Sequence, residues 1–164
     1  MPPKENKTKL FQHLIAKNAL HHAYLFFGPS SSDKFTLALT IAKTIENSHT
    51  NNLHDTLTIN QEKIGIDQVR KIKNFLSQTP LHSTKRTVII KNAENISWQA
   101  QPALLKIVEE PPKSALIILT AKDPTVLSPA LRSRLHKFYI PSDGSPSSGR
   151  GIGERRSRTS AGDK

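Results

Sequence analysis

Apolar positions along the first 140 residues alternate between two periods. Ala23-Tyr24-Leu25-Phe26-Phe27 is an unbroken apolar run, the mark of a strand buried on both faces. Before it, Lys9–Ala19 places Leu10, Phe11, Leu14 and Ile15 on one face of an amphipathic helix. After it, Lys34–Glu46 returns to helical spacing through Leu37, Ala38, Ile41, Ala42 and Ile45. Thr56–Ile59 is a short strand. Asp67–Gln78 is a strong helix, with Val69, Ile72, Phe75 and Leu76 three and four apart beside Ile66. Thr87-Val88-Ile89-Ile90 is β-branched and reads as a buried strand. Trp98–Glu109 is helical, Ala115–Thr120 is a further apolar strand, and His136–Ile140 is a short, partly polar fifth. Strands alternating with helices imply an α/β domain with a five-stranded, mainly parallel sheet and helices on both faces. In such sheets ligands bind beyond the carboxyl ends of the strands.

The pattern stops after Ile140. Pro141–Lys164 holds Ser, Gly, Arg and Pro, with Ile152 as its only aliphatic β-former. It has too little apolar surface to offset the entropy of ordering, so the expected division is a folded domain at 1–140 and a disordered tail at 141–164. Gly149–Arg158 has the composition of a segment that touches nucleic acid, or of a truncated or frame-shifted end.

Charge and composition narrow the class. The formal net charge is +11, which suggests nucleic acid or an acidic partner, but no block of five like charges forms. There is no cysteine, so disulfides and thiolate metal sites are excluded. No apolar run reaches the roughly 18 residues of a membrane span, and Met1–Lys9 is polar and basic, unlike a secretory signal. The expected location is the cytoplasm.

Candidate chemistry lies at Gly28-Pro29-Ser30-Ser31-Ser32-Asp33-Lys34-Phe35-Thr36. A phosphate-binding loop reads G-x-x-x-x-G-K-[ST]. Its glycines let backbone N–H groups close on phosphates, its lysine reaches the outer phosphates, and its hydroxyl holds Mg²⁺. Here Gly28 and Lys34 remain and Thr36 follows. Asp33 stands at the second glycine, and Phe35, with no oxygen, stands at the metal ligand. Gly28, Lys34 and Thr36 are therefore the candidate residues of a degenerate loop with weak nucleotide affinity or none. No metal ligand and no resident cofactor are expected.

Four segments together carry a family resemblance. His22–Pro29 with Lys34 and Thr36-Leu37-Ala38 resembles the opening of bacterial clamp-loader subunits of the AAA+ class. Ile66-Asp67-Gln68-Val69-Arg70 is similar to a helix start found downstream in them. Ala103-Leu104-Leu105-Lys106-Ile107-Val108-Glu109-Glu110-Pro111-Pro112 is similar to their A-L-L-K-x-x-E-E-P-P segment, and Leu131-Arg132-Ser133-Arg134-Leu135 stands where they carry Ser-Arg-Cys. The resemblance covers about Leu20–Ile140. It implies an AAA+ three-layer P-loop domain without the lid and collar domains that follow in the family. Within the family it points to a subunit that generally is not the ATPase, yet works in a DNA-directed DNA polymerase holoenzyme. The implied partners are the loader's ATPase subunits and its delta subunit and, indirectly, the sliding clamp and primer-template DNA. No membrane is implied.

The resemblance also assigns roles. Family members place an acidic motif for magnesium and water after the third strand, where this chain has Lys91-Asn92. Arg134 matches the arginine that the family supplies to a neighbouring subunit's ATP. A salt bridge at a helix end is the other reading of that residue. The family's zinc cysteines are missing between the second helix and second strand, leaving His49 and His54 in a polar loop. Pro102 replaces an asparagine and should make its helix start late or kink. The polar residue that family members carry after the fourth strand falls within Thr120-Ala121-Lys122. Trp98 is expected to anchor packing, and Glu109-Glu110 to be a helix end, since adjacent helical residues do not face each other. Two alternative functions stay open: an ATP-hydrolysing AAA+ motor subunit of the same complex, and a basic nucleic-acid-binding module.

Overall fold

The computed structural model describes residues 3–142. The tail expected at 141–164 lies outside the described residues from 143 onward. The element order is α1 (Pro3–Ala16), β1 (Ala23–Phe27), α2 (Lys34–Ile45), β2 (Thr56–Ile59), α3 (Ile66–Leu76), β3 (Arg86–Ile90), α4 (Gln101–Glu109), β4 (Ala115–Ala121), α5 (Pro129–Ser133) and β5 (His136–Tyr139). The strands form one sheet in the order β2-β3-β4-β1-β5, with every pairing parallel.

Strand parity separates two apolar layers. Successive side chains of a strand face opposite sides. Ala23 and Leu25 of β1, Val88 and Ile90 of β3, and Ala115, Ile117 and Leu119 of β4 pack with Val69, Ile72 and Leu76 of α3 and Leu104 and Val108 of α4. Tyr24, Phe26, Ile89, Leu116 and Ile118 pack on the other face with Phe11 of α1 and Ala38, Ile41 and Ala42 of α2. The inner strands are covered on both sides, which is why they read as continuous apolar runs.

Element ends differ from the sequence reading for local reasons. Asn18 takes a left-handed conformation (φ 50°), and Ala19 N–H donates to Leu14 O at 2.8 Å, so α1 stops at Ala16. Asn47 (φ 48°) ends α2 in the same way, with Ser48 N–H donating to Lys43 O at 2.9 Å. Leu10 is 41% exposed, so the buried face of α1 rests on Phe11 and the partly buried Leu14 and Ile15. As Pro102 implies, α4 begins late, at Gln101, with proline in its first turn. Trp98 then falls in the turn before α4 and is 69% exposed. The expectation that it anchors packing is corrected: the late helix start leaves it outside the core.

Two carboxylates hold the β2 end of the domain. Glu46 accepts from His54 N–H (2.8 Å), Asp55 N–H (3.0 Å) and the Thr56 hydroxyl (2.6 Å), closing the loop between α2 and β2. Asp55, fully buried, accepts from the N–H groups of Leu81, His82 and Ser83 and from the Ser83 hydroxyl. Arg86 stands 3.7 Å from Asp55, donates to Thr79 O at 3.0 Å, and covers the Phe75 ring at 4.7 Å. Burial alone would raise the Asp55 pKa, but the hydrogen bonds from Leu81, His82 and Ser83 outweigh it and hold the carboxyl below 3.8.

Asp55→Asn should lower the unfolding free energy by about 3 kcal/mol, because it leaves the buried Arg86 cation uncompensated. The native carboxyl is depressed in the fold. Its contribution is therefore complete above pH 3.8 and is lost as pH falls through the folded value. Denaturant unfolding of both forms between pH 7 and pH 3 should show the native protein losing this part of its stability on acidification. The variant should lack it.

Candidate functional site

The candidate loop leaves β1 at the carboxyl edge of the sheet. Gly28 has φ +152°, and a Cβ there would lie 2.1 Å from the Ile140 carbonyl oxygen. Its N–H donates to Ala121 O at 3.2 Å. The chain leaving β5 passes so close that only glycine fits, whether or not a phosphate is ever bound. Beyond it the loop turns on itself. Ser32 N–H (3.0 Å) and the Ser32 hydroxyl (2.7 Å) both donate to Pro29 O.

Lys34 is enclosed by this turn. Its ammonium donates to Gly28 O (2.9 Å), Pro29 O (2.6 Å) and the Ser32 hydroxyl (2.9 Å), which uses all three of its N–H donors. Burial lowers its pKa; Glu94 opposes that shift and Lys122 adds to it. The lysine that would reach outer phosphates closes its own loop instead.

Phe35 and Lys91, which look like two separate losses in the sequence, are in contact. The Lys91 ammonium sits 4.9 Å from the centroid of the Phe35 ring, within cation–π range. The contact sets a cation against an aromatic face, and neither side chain carries an oxygen. Asn92, left-handed at φ 58°, donates its N–H to the Thr120 hydroxyl at 3.1 Å. Thr120 is buried, and both it and Lys122 of the 120–122 stretch line the site. Lys34, Phe35, Lys91, Asn92, Thr120 and Lys122 line a cavity of about 100 Å³.

Glu94 was missed in the sequence. It lies in a 3-10 turn at Ala93–Asn95, accepts the Lys122 N–H, and keeps its second oxygen buried without a hydrogen-bond partner among the described residues. Its signal is faint: a lone acid four positions past the end of β3. One carboxylate among three ammonium groups does not fit a magnesium ion, and the described residues hold no group of three His, Asp or Glu placed for a metal.

Two loop residues face elsewhere. Thr36 and Asp33 line a separate cavity of about 240 Å³ with Lys7, Leu37 and Ile140. The structure thus brings Gly28 and Lys34 together and leaves Thr36 apart. Asp33 does not line the Lys34 cavity that its place in the motif suggested.

Arg134 lies at a third place, the C-terminal cap of α5. Its guanidinium pairs with Glu109 at 3.3 Å, and the two side chains are 58% and 39% exposed. Arg134 shares an open cavity of about 540 Å³ with Glu110, His21, His22 and His136. The His21 ring stacks on His136 at 3.7 Å and lies 4.2 Å from His22. Burial lowers the pKa of His22, against a hydrogen bond to Val108 O, and the positive potential of His21 and Lys85 adds to it. His136 is lowered by burial and by its two histidine neighbours. Glu109 and Glu110 end α4, as their place before two prolines implied. His54 meets the His82 ring at 4.9 Å and donates its N–H to Glu46. Arg70, Lys73 and Lys106 line a groove of about 730 Å³ between α3 and α4, together with Val69, Ala103 and Ile107.

The family model described as DNA polymerase III, delta subunit, matches residues 3–143. The chain belongs to that family. It is 30% identical over 149 residues to the DNA polymerase III subunit delta' of Bacillus subtilis (strain 168), across 77% of this chain and 44% of that protein. It is 29% identical over 153 residues to the DNA polymerase III subunit tau of the same organism, across 82% of this chain and 27% of that protein. A crystal structure of a DNA polymerase III gamma subunit-related protein from Thermotoga maritima superposes with TM-score 0.72 at 29% identity, over 86% of this chain and 47% of that one. The chain therefore spans less than half the length of these relatives. It is a delta-prime-like clamp-loader protein with an AAA+ fold. No helix among its described residues is long and apolar enough to cross a membrane.

In this delta-prime-like chain Gly28→Ala should cost about 2 kcal/mol or more, since the new methyl meets the Ile140 backbone and φ is one that side-chain-bearing residues avoid. Denaturant unfolding measures it. Retention of full stability would mean that the β5 exit yields more easily than its packing indicates.

Proposed function

We propose that this chain is a clamp-loader subunit that does not hydrolyse ATP, that scaffolds the loader, and that supplies Arg134 to the ATP site of a neighbouring ATPase subunit. One observation carries the reading. The Lys91 ammonium rests on the Phe35 ring, in the space where a hydrolysing site needs a metal and its ligands. A fixed cation there repels Mg²⁺, and neither side chain can orient an attacking water. The same feature weighs against an ATP-hydrolysing motor, although tau and gamma-related proteins are among the relatives.

The position of Arg134 supports the second half. It lies apart from the Lys34 cavity, so it has no role at its own chain's loop. Its partner Glu109 is a half-exposed surface acid, and such pairs are worth about 0–1 kcal/mol. A neighbouring phosphate would draw the guanidinium away at small cost. A planar, permanently charged group can then stabilise charge on the transferred phosphoryl. The proposed partners are the loader's ATPase subunits and its delta subunit, with the sliding clamp and primer-template DNA reached through them.

The purified chain should show no Mg²⁺-dependent ATP hydrolysis above background. Turnover that disappears in Lys34→Ala would overturn the first half of the proposal. For the second, Arg134→Ala is placed in a full-length version within a reconstituted loader. Hydrolysis at the adjacent site should fall by about 10²-fold or more with assembly intact, and Arg134→Lys should be nearly as poor. Unchanged single-site hydrolysis with a lowered melting temperature would make Arg134 a structural salt bridge to Glu109.

A further inference from the structure

A stack of histidines ties the edge of the sheet to its interior. His136 opens β5, and its ring lies on that of His21 at 3.7 Å, with 25° between the planes. His21 in turn lies 4.2 Å from His22, just ahead of β1. Tyr24, opposite His136 in the strand pairing, sets its ring across both His21 and His136 and accepts the His21 N–H at 2.8 Å. We propose that His21, His22 and His136 form an acid-sensitive clasp between β1 and β5, closed while the rings are neutral and opened when neighbouring rings are protonated together.

The strand has little else to hold it. β5 is four residues long, pairs with β1 alone, and exposes His136, Lys137 and Tyr139. Only Phe138 turns inward, against Phe11, Tyr24 and Phe26. Segments with few buried contacts open at lower free energy than the core. The buried Leu135 and Ile140 fix the chain on either side, so opening is confined to the residues between them.

Protons on these rings are poorly accommodated. Neutral imidazoles stack, whereas two imidazolium rings at this spacing repel. Arg134 lines the same cavity, Lys137 follows His136, and Lys85 adds positive potential at His22. The facing carboxylates are Glu109 and Glu110 at the end of α4, and Arg134 already pairs with Glu109. Cations therefore outnumber carboxylates before any ring is charged. Hydrogen bonding adds to this. The His21 Nδ1 atom lies 3.3 Å from Ala23 N and 3.2 Å from Ala23 O. Without a proton it accepts the N–H at the head of β1; in the doubly protonated ring it only donates. His22 keeps its bond to Val108 O in either state, so it anchors the stack to α4.

The sign follows from the folded values. His22 and His136 lie below the ordinary histidine pKa of about 6.5, through burial first, with neighbouring positive charge adding to it. A depressed value means that the fold prefers the neutral rings. The stability contributed by the clasp is therefore complete above about pH 6.5 and is lost as pH falls through the folded values. His136 is exposed, and water screens part of the repulsion, so the result is a loosened β5 and not an unfolded domain. Arg134 lies two residues ahead of His136, which brings the clasp to bear on the arginine whose role is proposed above. The clasp does not depend on that role, and its test involves no ATP hydrolysis.

The experiment follows the histidine rings of the full chain by NMR between about pH 8 and pH 5, with signals assigned from single His→Asn variants. His22 and His136 should take up protons below about pH 6.5, and His21→Asn should raise the His136 midpoint by about half a pH unit, the loss of one like-charged neighbour. Amide exchange, corrected for the intrinsic rate, reads the strand itself. Protection of β5 relative to β4 should fall by about tenfold from about pH 7.5 to about pH 5, the equivalent of a combined displacement of about one pH unit. In a His21→Asn, His136→Gln double variant the ratio should be the same at both ends of that range. The proposal fails if His136 titrates at the same pH with and without the His21 ring, if β5 keeps its protection relative to β4 in acid, or if the double variant shows the native fall. Should the double variant not fold, the exchange ratio of the native chain decides the question.

Discussion

The inner strands of this domain are buried on both faces, and that constraint sets everything else in place. β4 is buried along its whole length, and its residues alternate between the α3–α4 layer and the α1–α2 layer. β1 lies beside it in parallel register, Ala23 opposite Ile117 through Phe27 opposite Ala121. A slip of one residue would exchange the two layers and drive large side chains into the wrong helices. The register therefore fixes where β1 ends, and with it the start of the loop at Gly28. The loop is held from both sides, by Ala121 through a hydrogen bond and by Ile140 through close contact.

On that edge the charged and aromatic side chains find their partners within the fold. Lys34 is turned inward on its own loop, and Phe35 and Lys91 form one contact. The loop wraps an ammonium, and the Phe35 ring accommodates Lys91 without a carboxylate. At the other end of the domain Glu46 closes the loop before β2 with three hydrogen bonds.

Much of this was legible in order along the chain. The strands at Ala23–Phe27 and Thr56–Ile59 were read with their final bounds, since an apolar run between polar turns marks a strand by itself. Pro102 announced the late start of α4 because its missing N–H and fixed φ are local properties. That Phe35 carries no oxygen and Lys91-Asn92 no carboxylate was equally plain, because each is a residue type read directly from the chain. Helix ends were less legible. Asn18 and Asn47 stop their helices by adopting left-handed backbone, a choice open to asparagine but not compelled by it.

By itself, then, the sequence determined the class of fold and the family, since periodicity and residue chemistry are properties of neighbours along the chain. Contacts between distant segments were decided only when the sheet formed. Phe35 and Lys91 meet because β1 and β3 flank β4 and send their following residues to the same edge. Asp55 finds the turn at Leu81–Ser83, and Thr120 finds Asn92, for the same reason. Trp98 looked like a core residue by composition, yet where the chain turned into α4 left it exposed. Side-chain burial and pairing depend on which segments the sheet order places together, and no local pattern carries that information.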